Sequence, residues 1–173
     1  MKFFSLLSIL ALAASVHGAD TTLTMTGVHN CCKSCTNGIV KAASGLKDVT
    51  VTPEGSTVTI ISKKKGDAKK AADAIIEAGY FGKIEGDESA AKATSKPATA
   101  AKPESKMTKA TVSGVHLCCK KCEVAAADAV KTIPGITKSD IVAKATSFTV
   151  EGEFTKAQLA AALNDAGFAG DIK

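Results

Sequence analysis

Six cysteines stand in two clusters: Cys31, Cys32 and Cys35, then Cys118, Cys119 and Cys122. Each cluster closes the same segment. Gly27-Val28-His29-Asn30-Cys31-Cys32-Lys33-Ser34-Cys35 recurs as Gly114-Val115-His116-Leu117-Cys118-Cys119-Lys120-Lys121-Cys122. Thiolate and imidazole are the soft and borderline ligands of transition metals, so this repeat concentrates metal or thiol chemistry at two points. A disulfide framework ties distant segments together, whereas these cysteines are packed close, and an odd number per cluster prevents complete pairing within it. Three readings follow: metal ligation, thiol–disulfide exchange by the C-x-x-C pairs, or a structural staple. The retention of His-x-Cys-Cys in both copies favours the first.

The clusters need elements to hold them, and the flanking sequence supplies the same set twice. Leu23–Val28 and Ala110–Val115 alternate apolar and polar as a half-buried strand does. After each cluster comes a helical pattern, with Cys35, Ile39, Ala42 and Ala43 on one face, and Cys122, Ala126, Ala129, Val130 and Ile133 in the second copy. Gly38 weakens the first of these helices. A hairpin follows: Val49 and Val51, a turn at Pro53-Glu54-Gly55, then Val58 and Ile60. Ile141-Val142 and Phe148–Val150 form its counterpart. A second helix starts at a cap, Asp67 in one copy and Thr155 in the other, where Gln158 completes a capping box. Its apolar face is Ala68, Ala71, Ala72, Ile75 and Ile76, then Leu159, Ala160, Leu163 and Ala166. Gly79 and Gly167 stop it. Short strands at Gly82–Glu85 and Gly170–Lys173 end each copy.

Strand, helix, strand, strand, helix, strand, written twice, predicts an α+β chain of two tandem ferredoxin-like βαββαβ domains. The expected boundaries are 1–18 for a signal peptide, 19–86 for the first domain, 87–107 for a flexible linker and 108–173 for the second domain. Met1-Lys2, an apolar run from Phe3 to Val16 and small residues around Gly18 have the layout of a cleavable export signal. The run falls short of the ~20 residues of a membrane span. The mature chain is therefore expected to be secreted or periplasmic, without stable membrane insertion. The segment between the domains is Ala, Lys, Ser, Thr and Pro with almost no large apolar side chain, too little to offset its ordering entropy. Two short domains also have marginal cores, which a bound metal would reinforce.

The formal charge is +5, carried on lysine without arginine, and aromatics are 4% of residues. That composition argues against a nucleic-acid partner. Lys63-Lys64-Lys65 reads as a solvated turn. No nucleophile–base pair or phosphate loop is present, so no catalytic activity is expected.

In each copy the C-x-x-C pair falls where a strand gives way to a helix. Free N–H groups and the dipole at a helix start favour the thiolate, the form that binds metal. On these residues the chain resembles the heavy-metal-associated domains of copper chaperones, copper-transporting ATPases and periplasmic mercury-binding proteins. The resemblance covers nearly all of both halves. It implies ligands at Cys32 and Cys35 and at Cys119 and Cys122, and an aromatic near the metal loop at Tyr80 and Phe168. It also implies a soft ion, Cu(I) first with Hg(II) or Zn(II) as alternatives, passed to a donor or acceptor protein or a membrane transporter. The sequence departs from that family where Val28 and Val115 replace its methionine and the loop is longer. Cys31 and Cys118 add a third sulfur, and His29 and His116 an imidazole. The full candidate ligand set is therefore His29, Cys31, Cys32, Cys35, His116, Cys118, Cys119 and Cys122. It could serve three-thiolate or Cys₃His coordination.

Overall fold

The structure is a computed structural model, and it describes residues 20–85 and 105–173. The expected signal peptide and most of the expected linker lie outside these residues. The first copy runs β1 (Thr21–Thr26), α1 (Lys33–Ala42), β2 (Val49–Glu54), β3 (Thr57–Ser62), α2 (Lys65–Glu77) and β4 (Lys83–Glu85). The second runs β5 (Met107–Ser113), α3 (Lys120–Lys131), β6 (Ile136–Ser139), β7 (Ser147–Phe154), α4 (Lys156–Asp165) and β8 (Asp171–Ile172). The sheets are ordered β2-β3-β1-β4 and β6-β7-β5-β8, with every pairing antiparallel. This is the ferredoxin-like topology, twice.

Alternation explains the packing. Leu23 and Met25 of β1 are buried, as are their cross-strand partners Ile60 and Val58 on β3. Helix α2 closes that face with Ala68, Ala71, Ala72 and Ile75, and α1 adds Cys35 and Ile39. The second core repeats the plan with Ala110 and Val112, Phe148 and Val150, Cys122, Ala126 and Val130, and Leu159 and Leu163. Ala42, Ile76, Ala160 and Ala166 lie at the margin of these faces and are only partly buried, as is Ala129.

The structure departs from the sequence reading in local detail. Pro53 and Glu54 continue β2, opposite Val58 and Thr57, so the turn is shortened to Gly55 and Ser56. In the second copy the strand partnering β7 is Ile136–Ser139 rather than Ile141-Val142. Ile141 is buried from the following loop, while Val142 is exposed. A register shift between Ile136 and Lys138 interrupts the alternation there. Helix α2 begins two residues ahead of Asp67, with Lys64 at the N-cap. Asp67 instead lies in the first turn and pairs with Lys70 at 3.1 Å. The capping box at Thr155 and Gln158 is present. Gly79 and Gly167 take positive φ (92° and 83°) just past their helices, the left-handed stop that glycine adopts without strain.

Candidate metal centre

Each cysteine loop is launched by a glycine. Gly27 (φ 79°) and Gly114 (φ 74°) turn the chain off the central strand. Val28 and Val115 then point into the core, 1% and 3% exposed, where they anchor the start of the loop. The backbone N–H of Val28 donates to Ser56, and that of Gly114 to Thr146, tying each loop to its own sheet. Ahead of the helices the loops differ at one position. Asn30 accepts a hydrogen bond from the Thr36 hydroxyl at 2.9 Å, whereas Leu117 is buried in its place.

Cys32 and Cys119 are the N-cap residues of α1 and α3. The backbone N–H groups of the first turn face their sulfurs. That of Cys122 does most to draw the Cys119 thiol down to about 6; burial opposes it, and the N–H of Lys121 adds a lesser downward pull. Those of Cys35 and then Ser34 also act on Cys32, which lies below the ordinary thiol value. Burial acts the other way on Cys31 and Cys122, pushing each up to about 12, and raises Cys118 as well. Each loop thus carries one sulfur drawn toward thiolate, while burial holds Cys31, Cys118 and Cys122 toward thiol until a cation compensates their charge.

The two clusters meet. All six thiols are free, and their closest separation, 3.4 Å, is well beyond a disulfide bond. Cys31 Sγ lies 3.8 Å from Cys35, 3.7 Å from Cys119 and 3.7 Å from Cys122. Cys118 Sγ lies 3.6 Å from Cys32, 3.4 Å from Cys35 and 3.7 Å from Cys122. The pairs 32–35, 119–122 and 35–122 stand at 3.7, 3.8 and 3.9 Å. Three triads bring their sulfurs within 4.8 Å of one another: Cys31, Cys32 and Cys119; Cys32, Cys35 and Cys118; Cys118, Cys119 and Cys122. A fourth group joins His29 to Cys31 and Cys122. Donor sets of this kind, rich in thiols within 4.8 Å of one another, can hold a soft metal ion.

A pseudo-twofold arrangement of backbone and rings builds this junction. Tyr80 and Phe168 form an antiparallel bridge between the domains. The N–H of Phe81 donates to Gly167 at 3.0 Å, and that of Ala169 to Gly79 at 3.1 Å. His29 stacks on Phe168 with centroids 4.4 Å apart, and His116 stacks on Tyr80 at 4.5 Å. Each aromatic therefore covers the metal loop of the opposite domain. Burial lowers the pKa of both imidazoles; for His29 the neighbouring His116 adds to this, and a hydrogen bond to the Ala166 backbone opposes it. Nε2 of each histidine is buried without a hydrogen-bond partner. His29 is within reach of two thiols. His116 joins none of the ligand groups found among the described residues and is held by its ring contact.

Three glycines make the junction possible, and the sequence reading had given them only local roles. A Cβ on Gly79 would fall 2.5 Å from the His116 nitrogen, and one on Gly167 would fall 2.3 Å from the His29 nitrogen. A Cβ on Gly38 would fall 2.2 Å from the Tyr80 hydroxyl oxygen. The equivalent of Gly38 in the second copy is Ala125, and the equivalent of Tyr80 is Phe168, which lacks the hydroxyl. That covariation between the repeats is the one sequence signal for the contact.

Neither a family model nor any curated protein matches the chain. Two solved structures align over most of its length. One is the N-terminal soluble domains of Bacillus subtilis CopA, 16% identical, covering 90% of this chain and 95% of that one with a TM-score of 0.32. The other is the first two RRM domains of yeast poly(U)-binding protein Pub1, 10% identical, covering 88% and 98% with a TM-score of 0.26. Likenesses this weak carry no inference about function, which rests instead on the thiol geometry.

Proposed function

We propose that this protein binds a soft heavy-metal ion outside the cytoplasm and acts as a carrier, buffer or scavenger, without catalytic activity. The observation that carries this reading is the convergence of six free thiols from two loops, each beside a helix N-terminus that favours thiolate. Cu(I) is the ion that such a donor set suits best, with Hg(II) and Zn(II) behind it. The loops resemble those of heavy-metal-associated domains in their C-x-x-C pairs. Exchange of the ion with a donor or acceptor protein, or with a membrane transporter, is the role that follows. Export rests on the apolar N-terminal segment.

An RNA-binding reading finds no support in the side chains. Ferredoxin-like RNA binders stack bases on aromatics of the sheet face. Here Tyr80, Phe81, Phe148, Phe154 and Phe168 are all buried.

A thiol–disulfide role is the second reading, favoured by the low Cys119 pKa at a helix start beside buried Cys122. Anaerobic metal titration of the reduced chain without its first 18 residues separates the two. Tight binding that is lost in the double variant Cys32→Ser, Cys119→Ser supports metal carriage. A protein that takes up no soft ion yet cycles reversibly in glutathione buffers is a redox protein instead.

A further inference from the structure

The six sulfurs have a definite shape. Nine pairs lie at 3.4–3.9 Å, and the pairs 31–32, 32–119 and 118–119 lie within 4.8 Å. Every sulfur therefore has four of the other five close to it, and one with which it makes none of these contacts. The exceptions pair off as Cys31 with Cys118, Cys32 with Cys122, and Cys35 with Cys119. Points joined in this way, and kept from overlapping by their own radii, are the corners of an octahedron whose opposite corners are those three pairs.

An octahedron of sulfurs offers triangular faces but no tetrahedral hole, because any four corners include an opposite pair. An all-thiolate zinc site needs four mutually adjacent ligands. An ion in the plane of a face with 3.7 Å edges would sit about 2.1 Å from each sulfur, near the ~2.3 Å of a metal–thiolate bond. An ion at the centre would sit about 2.6 Å away, too far for such a bond. Four alternate faces touch every corner twice: 31–32–119, 32–35–118, 118–119–122 and 31–35–122. The first three are ligand triads already described, and the fourth has edges of 3.8, 3.7 and 3.9 Å.

The geometry points to a polynuclear centre. Four monovalent soft ions, Cu(I) in chemistry, would occupy alternate faces of one hexathiolate cage, each bound by three sulfurs, with each sulfur bridging two ions. Three of the four faces draw sulfurs from both domains, so the cluster fastens the domains together. Six thiolates and four monocations leave two negative charges. The N-termini of α1 and α3, where Cys32 and Cys119 are the caps, face that charge. This inference deepens the metal-binding reading and rests on it.

The test is anaerobic Cu(I) titration of the reduced two-domain chain, followed by native mass spectrometry and copper X-ray absorption. The expected result is saturation at four copper ions per chain, loading cooperatively from zero to four, with a short copper–copper vector. Cys118→Ser opens two faces and is expected to reduce saturation to two or fewer. Saturation of the parent chain below four, absence of a copper–copper vector, or four ions retained by the Cys118→Ser chain overturns the cluster and leaves metal binding standing. Uptake of no copper at all overturns the metal-binding reading with it.

Discussion

At the scale of single residues, the six thiols are chemically unequal although the repeat writes them alike. Cys32 and Cys119 sit at helix caps and are held toward thiolate by backbone N–H groups; Cys31, Cys118 and Cys122 are held toward thiol by burial. In the reduced, metal-free protein, iodoacetamide should therefore modify Cys119 and Cys32 first. The pH profile at Cys119 should have its midpoint near 6, the value its surroundings impose, rather than the ~8.5 of a free thiol. Mass mapping of partially alkylated protein reads this directly, and equal labelling of all six would contradict it. Tyr80 offers a second single-residue test. Its hydroxyl is buried with no partner, and burial raises its pKa far above the ordinary phenol value, so it stays protonated. Replacing it with Phe, as the second copy already does, removes an unpaired polar group. Tyr80→Phe should raise metal-free stability by about 1 kcal/mol in denaturant titration.

At the scale of elements, the helices position the ligands and a few contacts set their stability. Gly38 lies in α1 because the Tyr80 hydroxyl occupies the space a methyl would need. Gly38→Ala alone should destabilise the first domain. In a Tyr80→Phe background the same change should gain roughly 0.5–1 kcal/mol of helix propensity. The non-additivity of that cycle, measured by chemical denaturation, would establish the contact, and simple additivity would deny it. The cap of α4 is a simpler case. Thr155 accepts from Gln158 N–H at 3.2 Å, and Gln158 Oε1 accepts from Thr155 N–H at 2.8 Å. Thr155→Ala should cost about 1 kcal/mol in the thermal unfolding of the second domain without changing metal stoichiometry.

At the scale of the whole molecule, two domains are closed on one another by backbone bonds, crossed ring stacks and a shared bed of sulfur. The glycines at 79 and 167 permit that approach. Small-angle scattering should show the metal-loaded chain compact, and Gly79→Ala with Gly167→Ala extended. Each domain should keep its circular dichroism apart from fraying at the helix ends, where positive φ is also disturbed. A compact double variant would mean that the junction does not depend on this fit.

The sequence by itself determined the two βαββαβ units, their cores and their ligand loops. These depend on local periodicity, on glycine stops such as Gly79 and on a capping box, all of which act over a few residues. It misplaced β6 at Ile141-Val142, because a register shift between Ile136 and Lys138 breaks the alternation that marks a strand. It assigned the same eight ligand candidates that line the junction, and left open whether the two loops hold an ion each or close on one. Only the tertiary structure decided that Cys31 and Cys35 share neighbours with Cys119 and Cys122, and that Phe168 covers His29. Those contacts join residues far apart in the chain, and their geometry arises from the docking of one finished domain on another, which no spacing within either repeat encodes.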